Sequence, residues 1–213
     1  MKIAVLISGR GSNLQSLIDA QARGSLSAEI SLVISNIPNA TGLECAIRAG
    51  IPTKTISHRD FLDRRDFEGA INIALLEAHI ELVCLAGFMR LLTDSFVNEW
   101  SDRLVNIHPS LLPSFKGLNT HERALDAGVR FTGCTVHFVR SEMDNGPVIL
   151  QAAVPILPDD DADSLAARVL EQEHIIYPLA VDMIASGRIL VENGQVKIKD
   201  PGLPDAPLIN PSG

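Results

Sequence analysis

Short apolar runs of strand length alternate with amphipathic stretches across the first 108 residues, and few folds accept that order. The runs lie near 2–7, 29–36, 53–57, 81–86 and 103–108. Between them, apolar residues recur at helical spacing over 14–20, 41–49 and about 60–79, the last carrying Phe61, Phe67, Ile71, Leu75 and Ala78. Thr93 or Asp94 caps a shorter helix that contains Trp100, the one tryptophan. Strand, helix, strand, helix predicts a parallel sheet with helices on both faces.

The rhythm changes after 108. A loop over 109–118, rich in Pro, Ser and Gly, reads as a mobile lid. A helix from Thr120 ends near Gly128, Phe131–Val139 alternates as a strand should, and a turn over 143–147 leads into a strand at 148–154. Asp159-Asp160-Asp161-Ala162-Asp163 introduces a helix over about 163–185, where negative charge suits the positive helix end. The competing metal reading lacks a calcium-loop spacing. Pro178 inside this helix predicts a kink or a break. Asn193-Gly194 between 188–192 and 195–198 signals a hairpin. After Lys199 come four prolines in 14 residues without periodicity. The expected fold is α/β: one Rossmann-like domain over 1–199, then a loose tail over 200–213. Its sheet is twisted and mostly parallel, of about seven strands, with an antiparallel C-terminal part.

Composition removes several classes of function. With 46% apolar and 21% charged residues, the 213-residue chain reads as a soluble domain with a proper core. No run of 18 apolar residues occurs, and the first run is too short for a signal peptide, so the cytoplasm is the expected location. Cys45, Cys84 and Cys134 are odd in number and widely spaced, which implies neither a disulfide framework nor a metal site. A net charge of −8 without a basic block argues against nucleic-acid binding. An anionic small molecule binds only where local donors gather.

Two stretches gather them. Ser8-Gly9-Arg10-Gly11-Ser12-Asn13 follows the first strand and precedes a helix, the geometry that aims free backbone N–H groups at an anion. Gly9 and Gly11 let the backbone approach; Ser12 and Asn13 add side-chain donors. No Walker lysine and no G-x-G-x-x-G follow, so the choice is between one phosphate and an ordinary N-capped turn. Asn106-Ile107-His108-Pro109 ends the fifth run. Two residues apart on extended chain, Asn106 and His108 share a face, and Pro109 keeps His108 extended. An amide beside an imidazole suits the oxygen of a carbonyl turning into an oxyanion; capping a turn is the plainer use. The loop Gly87-Phe88-Met89-Arg90-Leu91-Leu92 is apolar for a connection and either packs the core or walls a pocket for a flat aromatic ligand. Taken singly, Arg64, His121, His137 and Asp144 read as a solvated arginine, a helix-face histidine, a strand histidine and a turn residue.

Taken together, Gly11-Ser12-Asn13, Ala86-Gly87-Phe88-Met89-Arg90, Asn106-Ile107-His108-Pro109-Ser110-Leu111-Leu112-Pro113, Asp144-Asn145-Gly146-Pro147 and Glu171-Gln172-Glu173-His174 resemble the formyltetrahydrofolate-dependent formyltransferases over about 1–195. The full set is similar to the branch that acts in purine synthesis. The resemblance implies glycinamide ribonucleotide as substrate, 10-formyltetrahydrofolate as co-substrate and no metal, in a monomer or homodimer. It implies that Gly11, Ser12 and Asn13 hold the substrate phosphate and that Glu173 lies near the ribose. It places Arg64, Met89, Arg90, Leu91, Leu92 and Asn106 at the folate, and it makes Asn106, His108 and Asp144 the catalytic trio. Arg10, Asn119 and Arg140 depart from residues common in relatives.

Three rival readings remain at this point. A formyltetrahydrofolate hydrolase shares the trio but carries an N-terminal regulatory domain, which a first strand at residue 2 disfavours. A methionyl-tRNA formyltransferase carries a C-terminal RNA-binding domain, for which this acidic chain leaves no room. A silent nucleotide-binding module would leave residues 106–108 and Asp144 as plain turn residues.

Overall fold

Ile3, Ala4, Val5, Leu6 and Ile7 have no exposed surface, as expected of a strand covered on both faces. They form most of β1 (Lys2–Ile7) in this computed structural model, which describes residues 1–202 and 208–211. From β1 the chain passes through α1 (Ser12–Ala22) to β2 (Glu29–Ser35), then through α2 (Thr41–Arg48) to the edge strand β3 (Thr53–Thr55). It then crosses back over β1. The helix α3 (Arg64–Glu77) leads to β4 (Leu82–Leu85), and α4 (Asp94–Glu99) leads to β5 (Leu104–His108). The sheet order is β3-β2-β1-β4-β5-β6-β7, with β1 to β5 parallel. After α5 (Thr120–Asp126), β6 (Phe131–Phe138) and β7 (Val148–Pro155) complete it antiparallel. Reversal of direction at β1 and β4 opens a crevice at their carboxyl ends, where open α/β sheets bind ligands.

Both faces are covered. Leu14, Leu17 and Ile18 of α1, Leu43 and Ala46 of α2, and buried residues of α6 (Ala162–Ala185) pack on one face. Phe67, Ile71 and Leu75 of α3, with Phe96, Val97 and Trp100, pack on the other. The hairpin β8 (Ile189–Glu192) and β9 (Gln195–Ile198) turns through Asn193 and Gly194, at φ 51° and 74°, as a two-residue primed turn requires.

Several local expectations need correcting. The helix expected from residue 60 starts at Arg64, because the Asp63 side chain accepts the Asp66 N–H at 2.9 Å; His58–Asp60 forms a 3-10 turn instead. The helix α6 runs unbroken through Pro178. Tyr177, Ala180 and Val181 are fully buried around the proline, and their packing outweighs the roughly 3 kcal/mol that an interior proline costs. The 109–118 loop is bonded down where a mobile lid was expected. Thr135 Oγ1 donates to Ser110 O at 2.7 Å and accepts Leu112 N–H at 3.1 Å, and Arg123 donates to Lys116 O at 2.6 Å. Within the expected tail, 203–207 and 212–213 lie outside the described residues. Asn210 is tied back, its amide donating to Arg130 O at 2.7 Å and Ile156 O at 3.0 Å. Among the described residues no helix is long and apolar enough to cross a membrane.

Candidate active site

The turn after β1 is built by close backbone approach. Gly11 is the residue before α1, at φ 74°, and no side chain caps the helix. The N–H groups of Ser12, Asn13 and Leu14 therefore have no acceptor within the helix. Gly42 N donates to Gly9 O at 3.0 Å, pressing α2 against the turn. A Cβ on Gly11 would lie 2.6 Å from Gly42 Cα. Arg10 is exposed beside this turn and forms no ion pair with a described residue.

The Asn13 side chain faces α6 and donates one of its two amide hydrogens to Glu173 Oε2 at 2.7 Å. Its Oδ1 is buried without a partner. Burial raises the Glu173 carboxyl to about 7, a rise the Asn13 hydrogen bond limits. A carboxyl raised in the fold contributes stability that is fully present below about 4.5 and is lost as pH rises through about 7. Glu173→Gln keeps the acceptor for Asn13 and removes the ionisation. It is expected to flatten the fall in stability between pH 5 and pH 8 and to be more stable than wild type at pH 8 by on the order of 2–3 kcal/mol. Denaturant titrations at the two pH values check this; parallel curves for both proteins would contradict it.

At the carboxyl end of β5, four polar side chains meet. Register pairs Asn106 with His137 and His108 with Thr135 across β5 and β6, on the face away from Val105 and Ile107. The turn after β6 returns Asp144 to the same place: its Oδ2 lies 3.5 Å from His108 Nδ1 and its Oδ1 3.9 Å from His137 Nε2. That return needs Gly146, where a Cβ would stand 1.6 Å from Phe138 O. His108 Nε2 lies 3.2 Å from Phe115 O, so both of its ring nitrogens face oxygen acceptors, which a doubly protonated ring satisfies. Gly117 N donates to Asp144 Oδ2 at 2.8 Å. His137 differs. Its Nδ1 donates to Phe138 O at 2.9 Å, and burial holds its pKa below the usual histidine value. The neutral ring leaves Nε2 to accept from Asn106 Nδ2 at 3.4 Å. Read alone, His137 is a strand histidine; only the pairing of β5 with β6 brings it to Asn106.

The loop after β4 divides the two readings open for it. Phe88 is buried and stacks on Phe67, centroids 6.5 Å apart, while Met89, Arg90 and Leu91 are exposed. Leu92 is half-buried against the core cluster that contains Phe67 and Phe96. Thr93 ends the loop, its N–H held by the buried Glu68 at 2.7 Å. Arg64 lines a shallow depression of about 340 Å³ with Asp63, Arg65 and Thr93. Among the described residues no cluster of His, Cys, Asp and Glu could hold a metal ion.

The formyl transferase family model matches residues 1–181. The human trifunctional purine biosynthetic protein adenosine-3 is 52% identical over 196 residues, 92% of this chain and 19% of that protein. The chain thus spans less than a fifth of that relative's length. The phosphoribosylglycinamide formyltransferase of Escherichia coli is 44% identical over 204 residues, 96% of each chain. The crystal structure of glycinamide ribonucleotide transformylase 1 from Symbiobacterium toebii superposes with a TM-score of 0.92 at 44% identity, covering 94% of each chain. This chain belongs to the formyl transferase family.

Proposed function

We propose that the chain transfers the formyl group of 10-formyltetrahydrofolate to the amine of glycinamide ribonucleotide, giving formyl-glycinamide ribonucleotide and tetrahydrofolate in purine synthesis. It does so in the cytoplasm, as a monomer or homodimer. The observation that carries this reading is the meeting of Asn106, His108 and Asp144 at the carboxyl end of β5, beside the crevice between β1 and β4. The full-length relative in Escherichia coli bears the name of this activity.

The free N–H groups of the Gly11–Asn13 turn receive the substrate phosphate, and Glu173 lies beside the ribose. The folate lies along Met89, Arg90, Leu91 and Leu92, with Arg64 at its outer end and Asn106 at its reacting end. The amine attacks the formyl carbon directly, forming a C–N bond and pushing the carbonyl electrons onto oxygen. Asn106 and protonated His108 donate to that oxyanion. As the charge develops, the oxyanion becomes a stronger acceptor for His108 Nε2–H than the neutral Phe115 carbonyl is. Asp144 stabilises the imidazolium from the Nδ1 side. The bond from carbon to folate N10 then breaks, and N10 takes the proton that the amine released, through His108 or a water held by Asp144. The charge is met by hydrogen bonds alone, so no metal is required.

Loss of the donor's formyl group, followed with and without glycinamide ribonucleotide, tests the function. Loss that depends on the ribonucleotide is expected; equal loss without it would make water the acceptor and contradict the proposal. Asp144→Asn is expected to leave folate affinity nearly unchanged, to lower turnover by about 10-fold or more, and to shift the pH profile of kcat. A variant that moves neither rate nor profile would break the link from Asp144 to His108.

A further inference from the structure

Ser8 takes no part in these assignments, yet its hydroxyl sits where the two substrate loops meet. It follows β1 directly and begins the glycine turn. Its N–H donates to Gly87 O at 3.1 Å, extending the β1–β4 ladder beyond both strands. Its Oγ accepts the Met89 N–H at 2.8 Å, inside the loop along which the folate is placed. The same Oγ lies 2.6 Å from Oδ1 of Asn36, the buried residue that follows β2.

The bonds have one direction. Because Ser8 Oγ accepts from the Met89 amide, its single proton goes to Asn36 Oδ1. The Asn36 amide nitrogen then faces His58 Nδ1 at 3.2 Å. A turn serine ordinarily bonds its own backbone nearby. Ser8 Oγ bonds no neighbour in sequence and ties the ends of β2 and β4 to β1. Chains of hydrogen bonds polarise one another, and such a network is stiff only when every member is present.

We propose that the Ser8 hydroxyl is a positioning residue that couples the two substrate sites. It fixes the Met89 amide of the folate loop to the first residue of the phosphate turn, so either ligand, by ordering its own loop, orders the other. This inference rests on the formyl-transfer reading. Such coupling is reciprocal: the factor by which folate improves ribonucleotide affinity equals the factor in the other direction. The worth of one net hydrogen bond sets its size at about five-fold.

Calorimetric titration of the full chain reads this factor directly. Glycinamide ribonucleotide is titrated with and without saturating tetrahydrofolate, and the reverse. In the wild type each ligand is expected to tighten the other about five-fold. In Ser8→Ala each should still bind alone, with the coupling factor falling to about one. Ser8→Thr, which keeps a hydroxyl, should restore it. A merely structural role for Ser8 would lower the melting temperature and leave the factor unchanged. Should Ser8→Ala fail to fold, Ser8→Cys, of similar shape and a weak donor, carries the same expectation. Wild-type coupling in the alanine or cysteine variant overturns the proposal, as does a wild type that binds both ligands independently. A wild type that binds neither ligand overturns the formyl-transfer reading as well.

Discussion

Replacing His108 with alanine is expected to lower kcat by about 10²–10³-fold, the loss typical of removing one donor from an oxyanion site. The fold should survive, because β5 is held by Val105 and Ile107, which pack on the face away from the imidazole, and by Leu104, buried in the opposite core cluster. Asn106 remains as the second donor and the phosphate turn still aims the amine, so activity should fall without vanishing. The loss belongs in kcat, since the imidazole meets charge that exists only as the transition state forms. Asn106→Ala should lose a similar amount and also strip His137 Nε2 of its donor. Steady-state rates at saturating folate, with a melting curve for each variant, check the pair. A His108→Ala enzyme within ten-fold of wild type, properly folded, would remove the imidazole from the chemistry.

Gly11→Ala should act through the backbone. A residue with a side chain at φ 74° costs about 1–2 kcal/mol. The new Cβ would also stand 2.6 Å from Gly42 Cα, which is backbone and cannot swing aside. Overpacking of that kind costs about 1–3 kcal/mol more. We expect a loss of about 2–5 kcal/mol of stability, and ribonucleotide affinity should fall with it, because the N–H groups of the first turn of α1 move. Denaturant midpoints and ribonucleotide titration measure both. An unchanged midpoint would show that α2 yields easily and that the close approach at Gly42 is not a constraint.

The sequence made the sheet legible because strand and helix periods alternate so cleanly up to His108, and the glycine turn and Asn106 and His108 could be read from local geometry. What it could not show came from pairing across the chain. The antiparallel match of β5 with β6 brings His137 to Asn106, and no local feature near residue 137 reveals it. The side chain of Asn13 turns to Glu173, 160 residues away, a contact that only the packing of α1 on α6 creates. A loop rich in Pro, Ser and Gly looks mobile by composition, but Thr135 and Gln151 on the neighbouring strands bond its backbone. Pro178 ends helices in isolation, and burial around Tyr177 overrides it. Ser8 has nothing in its local sequence to mark its role, because its partners, Asn36 and Met89, are 28 and 81 residues distant.

A crystal structure with glycinamide ribonucleotide and a folate whose N10 formyl group cannot transfer would test the central claim most directly. The account predicts the formyl oxygen within about 2.7–3.2 Å of both the Asn106 amide and a nitrogen of His108. It predicts the phosphate on the N–H groups of the Gly11–Asn13 turn and the amine facing the same carbon. A formyl group on the far face of the sheet from His108, or a phosphate seated away from the first turn of α1, would contradict it.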